Sequence, residues 1–177
     1  MDHVGTLLIE TERLRLRKLK KEDSLELFNG LRNQKEFLYY ANKKPVTFEE
    51  QEMALKDIDL KYQNLDYYNW VIEEKESSRI VGMINFRVVE KNESVEFNYA
   101  TDNRYVNKGY MTETLKAVID FALNVMNVNR IQGGCCVENI ASKRVMEKCG
   151  LNLEGTLKKY VKLIDGYHDM HMFAITK

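Results

Sequence analysis

The chain has 177 residues, 44% of them hydrophobic, and its 27 Lys and Arg balance its 27 Asp and Glu. This length and composition are typical of one globular domain over residues 1–177 and exclude a disordered chain. The zero formal net charge excludes bulk attraction to nucleic acid or to an anionic membrane. No apolar run approaches the roughly 20 residues that span a bilayer.

The first ten residues carry no signal-peptide pattern. They lack a basic n-region and an apolar h-region of adequate length. We therefore expect a cytoplasmic protein that does not associate with membranes.

The cysteines and histidines predict neither a disulfide framework nor a metal site. Cys135 and Cys136 are adjacent and Cys149 lies alone, so no CxxC pair exists. His168 and His171 are three residues apart on a predicted strand, which points their side chains to opposite faces. We expect buried free thiols, surface imidazoles and no metal; a nucleophilic Cys with a His partner is the weaker alternative.

The first half of the chain is predicted to contain a strand, two helices and a hairpin. The alternation Arg-Leu-Arg-Leu-Arg at 13–17 indicates a half-buried strand with its arginines in solvent. This basic stretch fits a solvated strand edge better than a nucleic-acid patch. The remaining elements are a helix behind the N-cap candidate Asp23, a helix from the capping box at 47–50 to about Asn64, and a hairpin of strands 68–73 and 79–89.

The second half alternates strands and helices. A strand at 94–101 precedes a helix whose apolar stripe begins at Met111. The final elements are a strand at 130–137, a helix at 139–149 ended by Gly150, and two strands around a turn at Asp165-Gly166. The order β-α-α-β-β-β-α-β-α-β-β predicts an α/β fold, with helices on the faces of a sheet and one strand–helix–strand crossover.

The segment 103–113 joins a predicted strand to the long amphipathic helix and has the properties of an anion site. A polar loop at a helix start leaves backbone N–H groups unpaired where the helix dipole is positive. Gly109 allows close backbone approach and Lys108 adds a charge, which favours a diphosphate. A single glycine at a helix start is also a common packing device, and the segment matches neither a P-loop nor GxGxxG.

Five segments, in their order and spacing, resemble the GNAT superfamily of acetyl-CoA-dependent N-acetyltransferases. They are 11–19, 95–99 (Val-Glu-Phe-Asn-Tyr), 106–113 (Val-Asn-Lys-Gly-Tyr-Met-Thr-Glu), 137–155 and 165–169 (Asp-Gly-Tyr-His-Asp). The opening and closing segments are similar to its ribosomal-protein (RimJ/RimL-like) branch. The resemblance covers about residues 9–175 and implies the GNAT fold, a single mixed, mostly antiparallel sheet flanked by helices, with acetyl-CoA as cosubstrate.

The resemblance also implies a cofactor site. The loop starting at Val106 would hold the pyrophosphate, the end of the preceding strand would pair with the pantetheine arm, and Asn139 would hydrogen-bond that arm. Val106 and Met111 depart from the family pattern, which has Gln or Arg and Gly or Ala there. The implied cofactor-binding residues are Tyr99, Ala100, Thr101, Val106, Asn107, Lys108, Gly109, Tyr110, Met111, Thr112, Asn139 and Ser142.

For catalysis the resemblance implies Glu96 and Ser142. Glu96 matches the general-base Glu on the strand before the loop, with a surface or hairpin carboxylate as the alternative. Ser142 matches a Ser near the thioester sulfur. Since Met146 stands where many relatives have a Tyr acid, proton donation passes to Ser142 or to water. Glu113 is better explained as a partner of the helix dipole.

The implied reaction is direct attack of a primary amine on the thioester within a ternary complex. An α-amine has a pKa of about 7.7–8.0 and a Lys side chain one of about 10.4, so a weak base acting through water suits the α-amine. We therefore expect a protein N-terminal α-amine as acceptor. Tyr167 and Asp169 lie near the acceptor side in the implied fold, and a structural turn role is an equal alternative.

Two other functions stay open at this point. The first is acetylation of a small amine, such as a polyamine, an amino sugar or an aminoglycoside. The second is a CoA-binding domain without turnover, which Met111 and Met146 keep open. A homodimer also stays open, and no nucleic-acid partner is expected.

Overall fold

One eight-stranded sheet organises the computed structural model, which describes residues 1–177. The strands in chain order are β1 (Ile9–Glu10), β2 (Leu14–Arg17), β3 (Tyr68–Glu74), β4 (Ile80–Val89), β5 (Ser94–Thr101), β6 (Arg130–Cys136), β7 (Asn152–Leu163) and β8 (Gly166–Thr176). Across the sheet they lie in the order β1-β2-β3-β4-β5-β6-β8-β7. All neighbours are antiparallel except β5 and β6. The predicted mixed, mostly antiparallel α/β sheet is confirmed.

Six α-helices cover the two faces of this sheet. They are α1 (Ser24–Leu27), α2 (Lys35–Tyr40), α3 (Phe48–Leu55), α4 (Ile58–Lys61), α5 (Tyr110–Asp120) and α6 (Ile140–Lys148). Wider π-helical turns extend α1 over Phe28–Arg32 and α5 over Phe121–Val125. None of the helices has the length and apolar character needed to cross a membrane.

Two hydrophobic clusters hold the helices to opposite faces of the sheet. The larger cluster packs α5 against the central strands and contains the fully buried Trp70 and Leu115. The smaller cluster packs α1, α3 and α4 against Val71 and Ile80. Each face of the sheet is therefore closed by helices from a different half of the chain.

The predicted second helix is too long. Thr47 does form the capping box, since its hydroxyl accepts from Glu50 N while the Glu50 carboxylate accepts from Thr47 N. The helix ends at Leu55, however, because Asp57 leaves the helical conformation (φ −111°, ψ 27°) before α4 begins at Ile58. This break lets Leu55 and Ile58 bury in the same cluster. Two short elements, β1 and α2, were not predicted, because β1 has two residues and α2 buries no side chain.

The arginines of β2 are only partly in solvent, since the Arg15 and Arg17 side chains are 40% and 18% exposed. The predicted strand edge is wrong, because β1 pairs with β2 and forms the sheet edge itself. Arg15 and Arg17 donate to the two oxygens of Glu73 on β3, at 2.9 and 2.6 Å, and Arg17 also forms a two-pronged pair with Asp23. The hydrogen bond to Asp23 raises the pKa of Arg17 against the opposing effect of burial. These arginines bind carboxylates within the fold.

Candidate active site

A gap opens between the only parallel neighbours, β5 and β6. The two strands pair only over Ser94–Glu96 and Arg130–Gln132, whereas β6 stays paired with β8 as far as Cys136. Gly133 shows where they separate, because a Cβ at that position would lie 2.4 Å from ring atoms of Phe97. The β6-facing edge of β5 is thus unpaired from Phe97 onward, and Tyr99, Ala100 and Thr101 lie along it as expected.

The loop after β5 ends at the N-terminus of α5, where unpaired backbone donors gather. Asn107 and Gly109 have positive φ values of 62° and 79°, and this conformation suits Asn and Gly. The first helical bond runs from Glu113 N to Gly109 O. The N–H groups of Tyr110, Met111 and Thr112 therefore have no partner within the chain and can donate to an anion.

Cationic and aromatic side chains surround this loop. Arg13 donates to Lys108 O at 3.0 Å and lies 4.7 Å from the ring centroid of Tyr110. The Lys108 ammonium lies 5.0 Å from the ring centroid of Tyr105, and the exposed Val106 leads into the loop. These contacts of Arg13 and Lys108 hold the loop in place. Arg13 was predicted only as a strand residue, because no local signal links it to a loop about 95 positions away.

Glu113 anchors the β1–β2 turn to α5. Its carboxylate accepts from Thr11 Oγ1 (2.6 Å), Arg13 N (2.9 Å) and Arg13 Nε (2.7 Å). Burial tends to raise the pKa of Glu113, but these hydrogen bonds lower it overall. The prediction of Glu113 as a partner of the helix dipole did not include these hydrogen bonds to the β1–β2 turn. An open cavity of about 370 Å³ lies beside it, lined by Glu12, Gly109, Thr112, Glu113, Lys116 and Lys148.

The N-terminus of α6 forms the far wall of the gap. Asn139 is the N-cap, and its Oδ1 accepts from Ser142 N at 3.0 Å. The Asn139 amide nitrogen makes no hydrogen bond within the chain, so it can still donate to a ligand. Asn139 therefore combines a capping role, which the family pattern did not indicate, with a free donor at the place expected for it.

A hydroxyl pair crosses the gap. Tyr99 Oη on β5 lies 2.7 Å from Ser142 Oγ on α6 and 3.3 Å from the Ser142 carbonyl oxygen. The Tyr99 ring stacks parallel to that of Phe97, with centroids 6.0 Å apart. Burial raises the pKa of Tyr99, so its phenol stays protonated. The sequence pattern assigned Tyr99 only through its backbone and carried no signal for this side-chain contact.

Glu96 lies near the closed end of the gap on the opposite face of the sheet. Side chains alternate along β5, so Glu96 shares the face of Ala100, whereas Tyr99 belongs to the other face. Its carboxylate accepts from Arg87 on β4 and from Gln132 Nε2 on β6 at 2.9 Å. Glu96 and Ser142 are thus brought to the same gap from opposite faces.

The two methionines that depart from the family pattern are core residues. Met111 is 6% exposed, and its methyl group approaches Gly82 on β4, which has no side chain. Met146 on α6 is fully buried in the larger cluster. The absence of a side chain at Gly82 therefore leaves room for the Met111 side chain in the core.

At the start of β8, His168 rather than its two neighbours faces the rest of the fold. Asp169 binds Lys158 Nζ and Lys159 N in the hairpin, and Tyr167 is exposed. The His168 imidazole lies 2.9 Å from Asp165 and 3.3 Å from Glu138. The hairpin turn lies at residues 164 and 165, one residue earlier than predicted.

The turn of this hairpin meets helix α2. Tyr39 Oη donates to Asp165 Oδ2 at 2.9 Å, and the Tyr39 and His168 rings pack edge to face at 6.2 Å. α2 and the β7–β8 hairpin therefore meet above the sheet face that carries Glu96. No periodic pattern in the sequence marked this contact, which joins residues 126 positions apart.

The cysteines are free thiols, as predicted. Burial raises the pKa of Cys135 and of Cys149 to about 11. Both remain protonated near neutral pH and lack the thiolate character that a nucleophile needs.

Comparison with other sequences points to one family. The model of the acetyltransferase (GNAT) domain matches residues 13–152. The uncharacterized N-acetyltransferase YoaA of Bacillus subtilis is 24% identical over 171 residues, which are 96% of this chain and 97% of that protein. The ribosomal-protein-serine acetyltransferase of Escherichia coli is 30% identical over 96 residues, 54% of either chain.

Solved structures agree with this match. An acetyltransferase (GNAT family) from Bacillus anthracis superposes with a TM-score of 0.84 at 26% identity, over 96% of this chain and 98% of that one. RimL, a ribosomal L7/L12 alpha-N-protein acetyltransferase in complex with coenzyme A, has the same fold (TM-score 0.85, 22% identity, 96% and 98% coverage). The domain match spans most of the chain, and this protein therefore belongs to the GNAT acetyltransferase family.

Proposed function

We propose that this chain, acting as one domain, transfers the acetyl group of acetyl-CoA to a protein N-terminal α-amine. Family membership supports N-acetyltransferase activity over a CoA-binding domain without turnover. The observation that carries the proposal is the gap between β5 and β6, whose free strand edge leads directly to the donor-rich N-terminus of α5.

The residues around the gap fit acetyl-CoA. The free N–H groups of Tyr110, Met111 and Thr112 suit a pyrophosphate, and Lys108 adds a positive charge. The unpaired edge of β5 suits the amide groups of a pantetheine arm, and the Asn139 amide can donate to the same arm. When bound, acetyl-CoA supplies the acetyl group as a thioester.

The residues of the chain then have three tasks. The gap and the loop hold the reacting groups at near-attack distance. Glu96, acting through water because both its oxygens already accept hydrogen bonds, takes a proton from the amine. A backbone N–H on β5 between Phe97 and Tyr99 donates to the acetyl oxygen as it gains negative charge.

The acceptor assignment rests on proton removal. Near pH 7 roughly a tenth of an α-amine is already neutral, against roughly one part in 2,500 of a Lys side chain. A carboxylate held by Arg87 and Gln132 is a weak, indirect base, and it suffices only where little deprotonation is needed. This favours the α-amine as substrate.

A small amine is the second candidate. The contact between Tyr39 and Asp165 bridges α2 and the hairpin on the Glu96 side, so an extended peptide has to pass it. A small amine does not have to pass this contact. Weakening this bridge with Tyr39→Phe should therefore raise kcat/KM for peptides more than for small amines.

A thiol-release assay with matched acceptors tests the proposal. Peptides with a free N-terminus are compared with the same peptides carrying a blocked N-terminus and an internal Lys, and with polyamines and amino sugars. We expect turnover with the free N-terminus only. Turnover confined to small amines would identify a small amine, and not a protein N-terminus, as the acceptor. The absence of thiol release with every acceptor would contradict acetyltransferase activity itself.

A further inference from the structure

In the hydroxyl pair across the gap, either Tyr99 or Ser142 can be the donor. A Ser hydroxyl donates one hydrogen bond and accepts others, and a Tyr hydroxyl does the same. Tyr99 Oη lies 2.7 Å from Ser142 Oγ, and the only other acceptor recorded for it is the Ser142 carbonyl, at the longer distance of 3.3 Å. When Tyr99 donates to Ser142 Oγ, the Ser142 hydroxyl is free to donate its own hydrogen bond to a third group.

Two groups can take that hydrogen bond, the Cys135 thiol beside Ser142 and a ligand bound in the gap. Ser142 belongs to the first turn of α6, where its own N–H is capped by Asn139, and Tyr99 extends from the free edge of β5. A chain laid along this edge passes the hydroxyl pair. Both the Ser142 hydroxyl and the positive end of the α6 dipole then favour an anion that develops there.

We infer that Tyr99 is a positioning residue that donates to Ser142, so that Ser142 donates to the sulfur leaving the thioester. This inference rests on the proposed function. The N–C bond forms as the C–S bond breaks, and the electron pair of the C–S bond stays on sulfur. One amine proton leaves to water beside Glu96, and the thiolate later takes a proton from solvent.

The buried tyrosine suits this role because it keeps its proton. Burial disfavours the phenolate and raises the pKa of Tyr99, so the phenol keeps its proton near neutral pH and can donate. The stacking on Phe97 orients the ring, and linked hydrogen bonds in a low-dielectric site strengthen one another. Met146, buried in the core, offers no competing donor.

The first test measures the bound thiol and needs no acceptor. The pKa of CoA thiol in complex with the protein is followed by thiolate absorbance for wild type, Tyr99→Phe and Ser142→Ala. Tyr62→Phe is the control, since it removes another buried Tyr hydroxyl that holds two hydrogen bonds in the smaller cluster. We expect the bound thiol pKa to rise by roughly half to one unit in the first two variants and not in the control.

The second test is a double-mutant cycle on turnover. Tyr99→Phe and Ser142→Ala should each lower kcat about tenfold with little change in the KM for acetyl-CoA, and the double variant should be no slower than Ser142→Ala alone. Additive losses, or a Tyr99→Phe enzyme whose bound thiol titrates as in wild type, would show that Tyr99 is only a packing residue. If the wild type is inactive but the pKa of the bound CoA thiol still rises in both variants, the proposed function is refuted. The role of the hydroxyl pair is then kept.

Discussion

Both oxygens of the Glu96 carboxylate accept hydrogen bonds within the fold. One of its oxygens accepts from Arg87 on the neighbouring strand, and the other accepts from Gln132 across the last paired position of the gap. These hydrogen bonds hold the carboxylate in place, and we propose that it acts on the amine through water. We therefore expect the contribution of Glu96 to kcat to be modest and to depend on pH.

Replacing Glu96 by Gln should lower kcat about 100-fold at pH 7, the lower end of what general-base catalysis contributes. Acetyl-CoA affinity should stay unchanged. The deficit should shrink above about pH 8, where an α-amine is already neutral. Steady-state kinetics across pH checks this. Glu154→Gln breaks the comparable pair between Glu154 on β7 and Arg130 on β6 and should leave kcat unchanged. Full activity of the Glu96 variant would remove Glu96 from the mechanism.

At the scale of elements, α6 depends on one side chain for two purposes. Asn139 caps the helix through its oxygen and keeps its amide nitrogen for a ligand. An N-cap contributes about 0.5–2 kcal/mol to stability, and Ser can replace the capping oxygen but not the amide donor. Substitutions at this position can therefore separate folding from binding.

Asn139→Ala should lower the free energy of unfolding by about 1 kcal/mol, whereas Asn139→Ser should stay close to wild type. Both variants should bind acetyl-CoA more weakly, because both lack the amide donor. Denaturant unfolding and calorimetric titration measure the two effects. An Asn139→Ser protein that binds like wild type would leave Asn139 with the capping role alone.

The contact between α2 and the β7–β8 hairpin should depend on pH. The hydrogen bond to Asp165, and then that to Glu138, raises the pKa of His168 above its usual value of about 6.5. The hydrogen bond from His168, and then that from Tyr39, lowers the pKa of Asp165. The stabilisation from His168 is complete below about pH 6.5 and disappears as pH rises through the raised pKa. That from Asp165 disappears as pH falls through the lowered pKa.

His168→Gln keeps a hydrogen-bond donor but cannot be protonated. The Tm of wild type should therefore exceed that of this variant by more at pH 6 than at pH 9. Thermal melts at both pH values measure the difference. A Tm difference that is equal at the two values would mean that His168 contributes no charge to this contact.

At the scale of the whole molecule, acetyl-CoA binding should stabilise the fold, because the site proposed for it joins β5, α5 and α6. A ligand at about 100 times its Kd adds about 2.7 kcal/mol, which for this size raises Tm by roughly 5–10 °C. Gly109→Ala should reduce this shift, because the position has φ 79° and lies in the loop.

Gly150→Ala is the matched control for that variant. Gly150 has a similar φ of 83°, but it follows α6 and has open space around it. Both variants should lose comparable stability without ligand, and only Gly109→Ala should show a reduced Tm shift with acetyl-CoA. Equal ligand-induced shifts in the two variants would exclude the loop from the binding site.

The sequence by itself determined the elements that local patterns encode. The helical stripe from Met111, the capping box at Thr47 and the helix that ends before Gly150 all appear in the structure, because periodicity, caps and glycines act within a few residues. The family pattern supplied the candidate loop and the residues near it. Short elements such as β1 and α2 were not predicted, since they carry no such local pattern.

Only the tertiary structure decided which side chains meet. The pair of Tyr99 and Ser142, the support of Arg13 for the loop and the bridge from Tyr39 to Asp165 each join residues 43 to 126 positions apart. Strand register and splay set these distances, and neither is encoded in a local pattern. The separation of β5 from β6 has the same origin, because the Phe97 ring occupies the space beside Gly133.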